Sequence, residues 1–446
     1  MHWAEQPDAV IIALLVGGRD TLLPHDRRAG WTSWLRHSES QRNGTLSWSD
    51  DEQEPLEATH CHALAGEHGR RLYQQVDSVL KPLEAHEPYR RLFPTDARGS
   101  GPTDALGRNE ASGRVHAIAL AVTAHAIRPA PRFVPLLLPL PFLRQAYHGA
   151  CSVAEIEGGG GEGGGGEGGG GDGDGVELRA LHSLNAGEEV TLDAHGSDVA
   201  SLMIRQGDPG IHPRDLALAP GTATAAASSS AALAAAAAAS VRLSVSIEVG
   251  DGPLGALKQL VLSKASLRAE GQAFTLKGGV PPRFDGGPGF RAALPPKLMP
   301  YARLAVLQEH EEALLPTRGA ADQLPMAPLS EENEEHAFRW LASKLELLLA
   351  AYPTTQEEDE YELLAEGGGG GARGGMRRGA AATSAAAAAR STRRAAATAA
   401  ALLEKRVLTS TLGTLHADVL DYQEARGHRP KKKKRRRKKS RAKEEL

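Results

Sequence analysis

The sequence predicts an α+β fold: a small β-rich core with a helical insert, then a mainly α-helical C-terminal region. Three observations predict it. Short stretches alternate apolar and polar residues, as half-buried strands do, at Val176–Ala180 and Val241–Val249. Long stretches with helical spacing of apolar residues follow at Pro296–Leu315 and Ser330–Tyr352. Three low-complexity tracts, Gly158–Gly175, Ala223–Ala239 and Gly367–Ala389, interrupt these without adding core.

Residues 1–95 read as helices. Ala9–Val16 is apolar enough for a core helix, and Trp31, Trp34 and Trp48 are core anchors. Ser49 with Glu52 three residues on is a capping box, and Leu56–Val76 continues the helical pattern. His60, Cys61, His62 and His68 do not make a metal site. Adjacent helix residues point different ways, and no second Cys/His pair follows at zinc spacing. The Gly158–Gly175 tract carries acidic spacers and no Gly-Lys-Ser/Thr, so it is no phosphate loop. It reads as a disordered insertion in a hairpin between strands at Cys151 and Val176.

After that hairpin, Asn185-Ala186-Gly187 makes a turn and Val190-Thr191-Leu192 a short strand. Ser197 or Asp198 caps a helix over Val199–Arg205, which Gly207 ends. Residues 133–156 and 176–205 need one shared apolar face, so they are expected side by side. Farther on, the pattern predicts a helix at Leu254–Leu262 and a strand pair within Ser266–Lys277. Ser330 and its acidic neighbours suit a helix start. Tyr352-Pro353-Thr354-Thr355 breaks that helix. Thr355 or Thr354 caps the next, with Glu357, Glu358 and Asp359 on its positive end. A last helix covers Ala395–Leu415. Residues 330–352, 354–364 and 395–415 are expected as a bundle separate from the β core.

Composition excludes several classes. Two cysteines among 446 residues give no disulfide framework and suit a reducing compartment. No apolar run reaches the roughly 18 residues of a membrane span, so no membrane partner is expected. Residues 426–446 hold 13 Lys/Arg against 2 Glu; with −3 on the whole chain, their +11 leaves −14 on residues 1–425. The run Pro430–Lys439 predicts a disordered tail that binds a nuclear import receptor or a polyanion. The nucleus is favoured over the cytoplasm, and a plastid would need a transit peptide that Met1–Asp20 does not show.

Two stretches carry a resemblance. Residues 176–207, VELRALHSLNAGEEVTLDAHGSDVASLMIRQG, resemble the end of a SET domain of the Rubisco large-subunit methyltransferase (LSMT) type, usually IxAGEEVTxxYGxxSNAELLLRYG. Residues 329–364, with YPTTQEEDEYELL, resemble the helical substrate-binding domain that follows it, and STRRAAATAAALLEKRVL resembles that domain's last helix, usually RLRxGEKRxL. "YRRLFP" at 89–94 and Val115–Ile127 resemble the end of the helical insert and the helix after it.

The resemblance implies a divergent, N-terminally incomplete SET protein. Residues 1–207 would form the SET-like domain, with a helical insert over about 9–127. A linker at 208–240 would precede a substrate-binding-like domain at 241–420 with a disordered insertion at 367–389, then a basic tail at 421–446. It implies S-adenosylmethionine as cofactor and a protein lysine or histidine as methyl acceptor. It also locates departures. Without gaps the family tyrosine falls on Ala194, and with a one-residue gap the family's Tyr-Gly falls on His195-Gly196; neither supplies a tyrosine, leaving His195 as the one substitute catalytic base. The cofactor's Asn-His pair falls near Gln145-Ala146, with Tyr147 and His148 the similar pair close by. Tyr352, Thr354 and Thr355 would bind substrate. The function implied is a methyltransferase-like protein with impaired catalysis. The alternative is a non-catalytic protein-binding module using the C-terminal helices. A nucleic-acid role through the tail is a third and weaker reading.

Overall fold

The structure is a computed structural model. It describes residues 44–85, 126–127, 136–137, 145–147, 151–156, 175–186, 190–193, 197–212, 216, 235–278, 294–314, 324–368 and 381–425. Outside them lie the expected helices at Ala9–Val16 and Trp31–Leu35, most of the glycine tract, His148, Ala194, His195 and the tail beyond Ala425.

Contacts divide the chain into two compact units. Unit one takes Met1–Val241, Lys277–Pro281 and Ala350–Val407; unit two takes Arg242–Leu276, Pro282–Leu349 and Leu408–Leu446.

Unit one opens with a 3-10 turn at Thr45–Ser47 and the short helix α1, Asp50–Gln53. The capping box is present: the Ser49 N–H donates to Glu52 Oε2 at 2.9 Å. Arg393 Nη1 also reaches Glu52, at 2.9 Å. Burial works against the Glu52 carboxylate, but the Ser49 and Arg393 hydrogen bonds outweigh it and hold its pKa below the usual range. Helix α2 follows at His60–Ala85.

Strands β1, Ala126–Ile127, and β2, Leu136–Leu137, pair antiparallel. Residues 126–127 are therefore strand, correcting the expected helix at its end. Four strands make the main sheet: β3 Gln145–Ala146, β4 Cys151–Ile156, β5 Gly175–Ala180 and β6 Leu192–Asp193, in the order β3-β6-β4-β5. The hairpin holds: β4 and β5 pair antiparallel from Cys151↔Ala180 to Ile156↔Gly175. The expected shared core holds too, since segments from both stretches enter this one sheet. However, β6 does not pair with β5. It inserts beside β3 and β4, parallel to each.

Helix α3, Val199–Gln206, closes the sheet's run. Asp198 is its cap: Oδ1 accepts the Ser201 N–H at 2.6 Å. Gly207 ends it at φ 67°, in the left-handed region that glycine tolerates. The helix is buried on most sides. Leu202 and Met203 are fully buried, each contributing about 1.5–3 kcal/mol of transfer free energy. Chain and helix approach closely at Gly44: a Cβ there would lie 2.3 Å from the Ile204 carbonyl oxygen.

Unit two begins in strand β7, Ser240–Val245, which pairs with β8, Gln272–Lys277. Leu243, Val245 and Ile247 alternate inward as read from sequence. Residues 266–277 supply one strand, not a pair, because Ser266 and Gly271 take positive φ and bend the chain into β8. Helix α4 is Pro253–Lys264, and α5 is Leu298–Ala305. The long helix expected over 296–315 is broken. Beyond α5 the chain turns at Val306–Gln308 and resumes as a 3-10 helix, Glu309–Leu314. In that 3-10 helix buried Glu311 accepts from the Gln308 N–H, Ser330 Oγ and Asn333 Nδ2. Burial opposes its charge, but these donors hold its pKa below the usual range.

Helix α6 is Glu331–Ala350, capped by Ser330, whose Oγ accepts the Asn333 N–H at 2.9 Å. Arg303 of α5 is fixed to it by a bidentate pair with Glu334, Nε–Oε2 2.6 Å and Nη2–Oε1 2.8 Å. Tyr301 packs edge-on against Phe274, centroids 5.3 Å apart, and donates its hydroxyl to the Arg268 carbonyl.

Helix α7, Gln356–Gly368, returns to unit one, and α8, Ala381–Ala425, is 45 residues long. Residues 367–368 and 381–389 are helical, correcting the disordered insertion expected there. The alanine run at 385–389 has high intrinsic helix preference. Asp421–Ala425 likewise extend α8 into what was expected as tail. The three helices expected as one bundle fall in different compact units. Helix α7 and α8 up to Val407 group with the N-terminal residues, while α6 groups with unit two.

Candidate functional site

Two polar clusters in unit one fall on the sequence-predicted positions. The first surrounds β3. Its backbone is clamped by one side chain from the end of α3: the Gln145 N–H donates to Gln206 Oε1 at 3.0 Å, and Gln206 Nε2 donates to the Gln145 carbonyl at 2.7 Å. The side-chain oxygen of Gln145 is buried and has no hydrogen-bond partner among the described residues. Tyr147 follows. Its N–H donates to the Gly210 carbonyl at 3.0 Å, and its hydroxyl donates to the Ser197 carbonyl at 3.0 Å, just before the Asp198 cap. Gly210, at φ 78°, leaves room for the ring: a Cβ would come within 3.1 Å of it. Burial, with Asp198 nearby, pushes the Tyr147 phenol well above its ordinary range, so it stays a donor. Its hydroxyl is committed inside the chain.

The second cluster joins the turn after α6 to α8 and to the start of α2. Three consecutive α8 residues each find a partner. Glu404 accepts the His60 N–H on Oε2 at 2.7 Å, the Cys61 N–H on Oε1 at 3.0 Å and the Tyr352 hydroxyl on Oε2 at 2.8 Å. Lys405 Nζ donates to Asp359 Oδ2 at 2.6 Å and Thr354 Oγ1 at 2.8 Å. Arg406 reaches Glu360 Oε1 at 2.9 Å and the Leu216 carbonyl at 3.2 Å. Successive residues on a helix point about 100° apart, so the triplet ties α8 in three directions.

Thr354 also donates to Asp359 Oδ1 at 2.6 Å. The cap of α7 is Thr355: its Oγ1 accepts the Glu358 N–H at 3.2 Å while its own N–H donates to Glu358 Oε2 at 2.7 Å. Tyr352, Thr354 and Thr355 are thus brought together, with the Tyr352 hydroxyl engaged by Glu404 of α8 and the two threonine hydroxyls by residues of α7. Sequence reasoning did not single out Glu404, Lys405 or Gln206. The readable signal was charge complementarity between Glu404-Lys405-Arg406 and the acidic Glu357-Glu358-Asp359-Glu360.

Residues 250–408 match the family model described as Rubisco LSMT substrate-binding. The resemblance to LSMT holds. The match covers the turn, α7 and the Glu404 triplet, and it runs through both compact units. Among solved structures, the SET domain of LSMT bound to MeLysine and AdoHcy is similar to this chain. Identity is 18% and the TM-score 0.54, over 95% of this chain and 78% of that one. At that identity the likeness establishes an LSMT-type SET fold. No curated protein sequence matches the chain. No helix among the described residues is long and apolar enough to cross a membrane.

Proposed function

We propose that this protein is a SET-type protein methyltransferase relative that binds S-adenosylmethionine and a protein ligand and has impaired methyl transfer. The LSMT-like fold supports the class, and the solved relative holds MeLysine and AdoHcy. The observation that carries the cofactor reading is Gln145. Its buried amide oxygen lacks a partner among the described residues, on the strand that the resemblance assigns to the cofactor's Asn-His pair. An orphan acceptor costs stability unless a donor reaches it, so Gln145 fits one hydrogen-bond donor of the cofactor. Gln206 would fix the strand, and Tyr147 would hold its neighbour through Ser197. The cofactor, when bound, supplies an electrophilic methyl on a sulfonium.

The reading of impaired transfer rests on residue 194. Alanine has no hydroxyl to orient an acceptor amine, and His195 beside it is the one substitute base. Calorimetry on the whole chain is expected to show S-adenosylmethionine binding, weakened about 5–10-fold in Gln145→Leu by the loss of one hydrogen bond. Transfer of labelled methyl to a lysine substrate is expected to be negligible. Robust transfer would overturn the impairment. Absence of binding would leave the non-catalytic protein-binding module.

We also propose, from sequence, nuclear import through Pro430–Lys439. A fluorescent reporter carrying residues 427–446 is expected to accumulate in nuclei; an even distribution overturns this.

A further inference from the structure

We propose that Glu404 is a pH-responsive clasp that fastens the start of α2 to α8 and to the turn at Tyr352. Its carboxylate, on a residue 3% exposed, takes three donors: the first two backbone N–H groups of α2 and one phenol. Those N–H groups have no partner within their own helix. Thr59 Oγ1 accepts the His62 N–H at 3.0 Å, but a side chain more than 340 positions away takes the two N–H groups before it. Cys61, fully buried, lies directly under this contact.

The surroundings decide the charge state. From α2 come the His60 ring and the Cys61 thiol; from the turn comes Tyr352. From α8 comes Lys405, 5.4 Å from the Tyr352 ring centre, but its ammonium is held by Asp359. From the cap of α3 comes Asp198, a second acid whose charge opposes ionisation of Glu404. The donors favour the carboxylate, yet loss of water outweighs them and pushes Glu404 up to about 7. The folded-state pKa thus lies above the ordinary value of 4.5. The contribution to stability is complete below that ordinary value and is lost as pH rises through about 7. The clasp is firm when protonated and opens more easily once ionised, within the neutral range.

Cys61 reports the opening. The whole chain is treated with a thiol reagent between pH 5 and 8, and modification at Cys61 is followed by peptide mass mapping. Glu404→Gln serves as the reference, because it cannot ionise at this position and the thiolate forms alike in both proteins once the α2 start has opened away from residue 404. The ratio of wild-type to variant rates is expected to rise about tenfold or more from pH 5 to 7 and then level off. A ratio that stays flat overturns the proposal. Tyr352→Phe is the second arm. It removes a donor to the ionised form, so the wild-type rise should move to higher pH. Should Glu404→Gln not fold, a Tyr352→Phe profile coinciding with wild type overturns the clasp by itself.

Discussion

Replacing Lys405 with methionine is expected to lower unfolding free energy by about 3–5 kcal/mol, the usual cost of removing one partner from a buried ion pair. Lys405 is 1% and Asp359 2% exposed in their side chains, with 2.6 Å between Nζ and Oδ2. Without the ammonium, Asp359 keeps only Thr354 Oγ1 as a side-chain donor among the described residues. Burial already pushes the Asp359 carboxyl above its ordinary range, against the opposing pull of Lys405 and Thr354. The variant removes that pull. Its deficit should therefore narrow as pH falls, because a protonated Asp359 needs no counter-charge. Urea unfolding followed by far-UV circular dichroism checks the size and the pH trend. Pairing Lys405→Met with Asp359→Leu should recover much of the loss, since removing both charges leaves no orphan. A single-variant loss below about 1 kcal/mol, the level of an exposed pair, would show that the pair adds nothing through burial.

Arg303→Met should cost a similar amount, about 3–5 kcal/mol, in unit two. Beyond its pair with Glu334, Arg303 Nη1 donates to the Pro325 carbonyl at 3.0 Å and the Met326 carbonyl at 2.6 Å. One planar guanidinium thus anchors α6 and the Leu324–Ser330 approach to it. Arg303→Lys should fail almost as badly, because a single ammonium cannot span the bidentate carboxylate and two carbonyls. Limited proteolysis under native conditions gives a second readout. Cleavage within residues 324–330 should accelerate in both variants. A lysine variant matching wild type in both stability and cleavage would refute the forked geometry.

The two ion pairs differ in how readily sequence shows them. Glu334 is one of the acids that mark the start of α6, and sequence assigns those acids to the helix dipole. The structure instead buries Glu334 against Arg303 and leaves Glu331 and Glu332 outward. Position within the first turn is a local property; burial is not. Lys405 was legible only as part of the Glu-Lys-Arg triplet in the last helix. Nothing within a few residues of it calls for an ammonium, since Asp359 lies 46 positions earlier.

At the candidate cofactor strand the same division appears. Sequence located Gln145-Ala146 against the family's Asn-His pair and named Tyr147 as a substitute contact. It did not show that the Tyr147 hydroxyl turns to Ser197, or that Gln206 clamps the strand from 61 positions away. Both contacts need β3 beside β6 and α3 folded back over them.

Sequence by itself determined the caps of several helices and the inward face of β7. Ser49 with Glu52, Asp198, Ser330, Thr355 with Glu358, and Gly207 act on backbone groups within three or four residues of themselves, so local chemistry decides them. Tertiary structure alone decided the strand order, the break after α5 and the acceptor for the first two N–H groups of α2. Each depends on a partner that the chain brings from far away: β6 comes between β3 and β4, Ser330 and Asn333 meet Glu311, and Glu404 meets His60 and Cys61 across 343 or more positions. A carboxylate that must leave water finds its donors wherever packing leaves backbone N–H groups unpaired, and only the folded chain defines where that is.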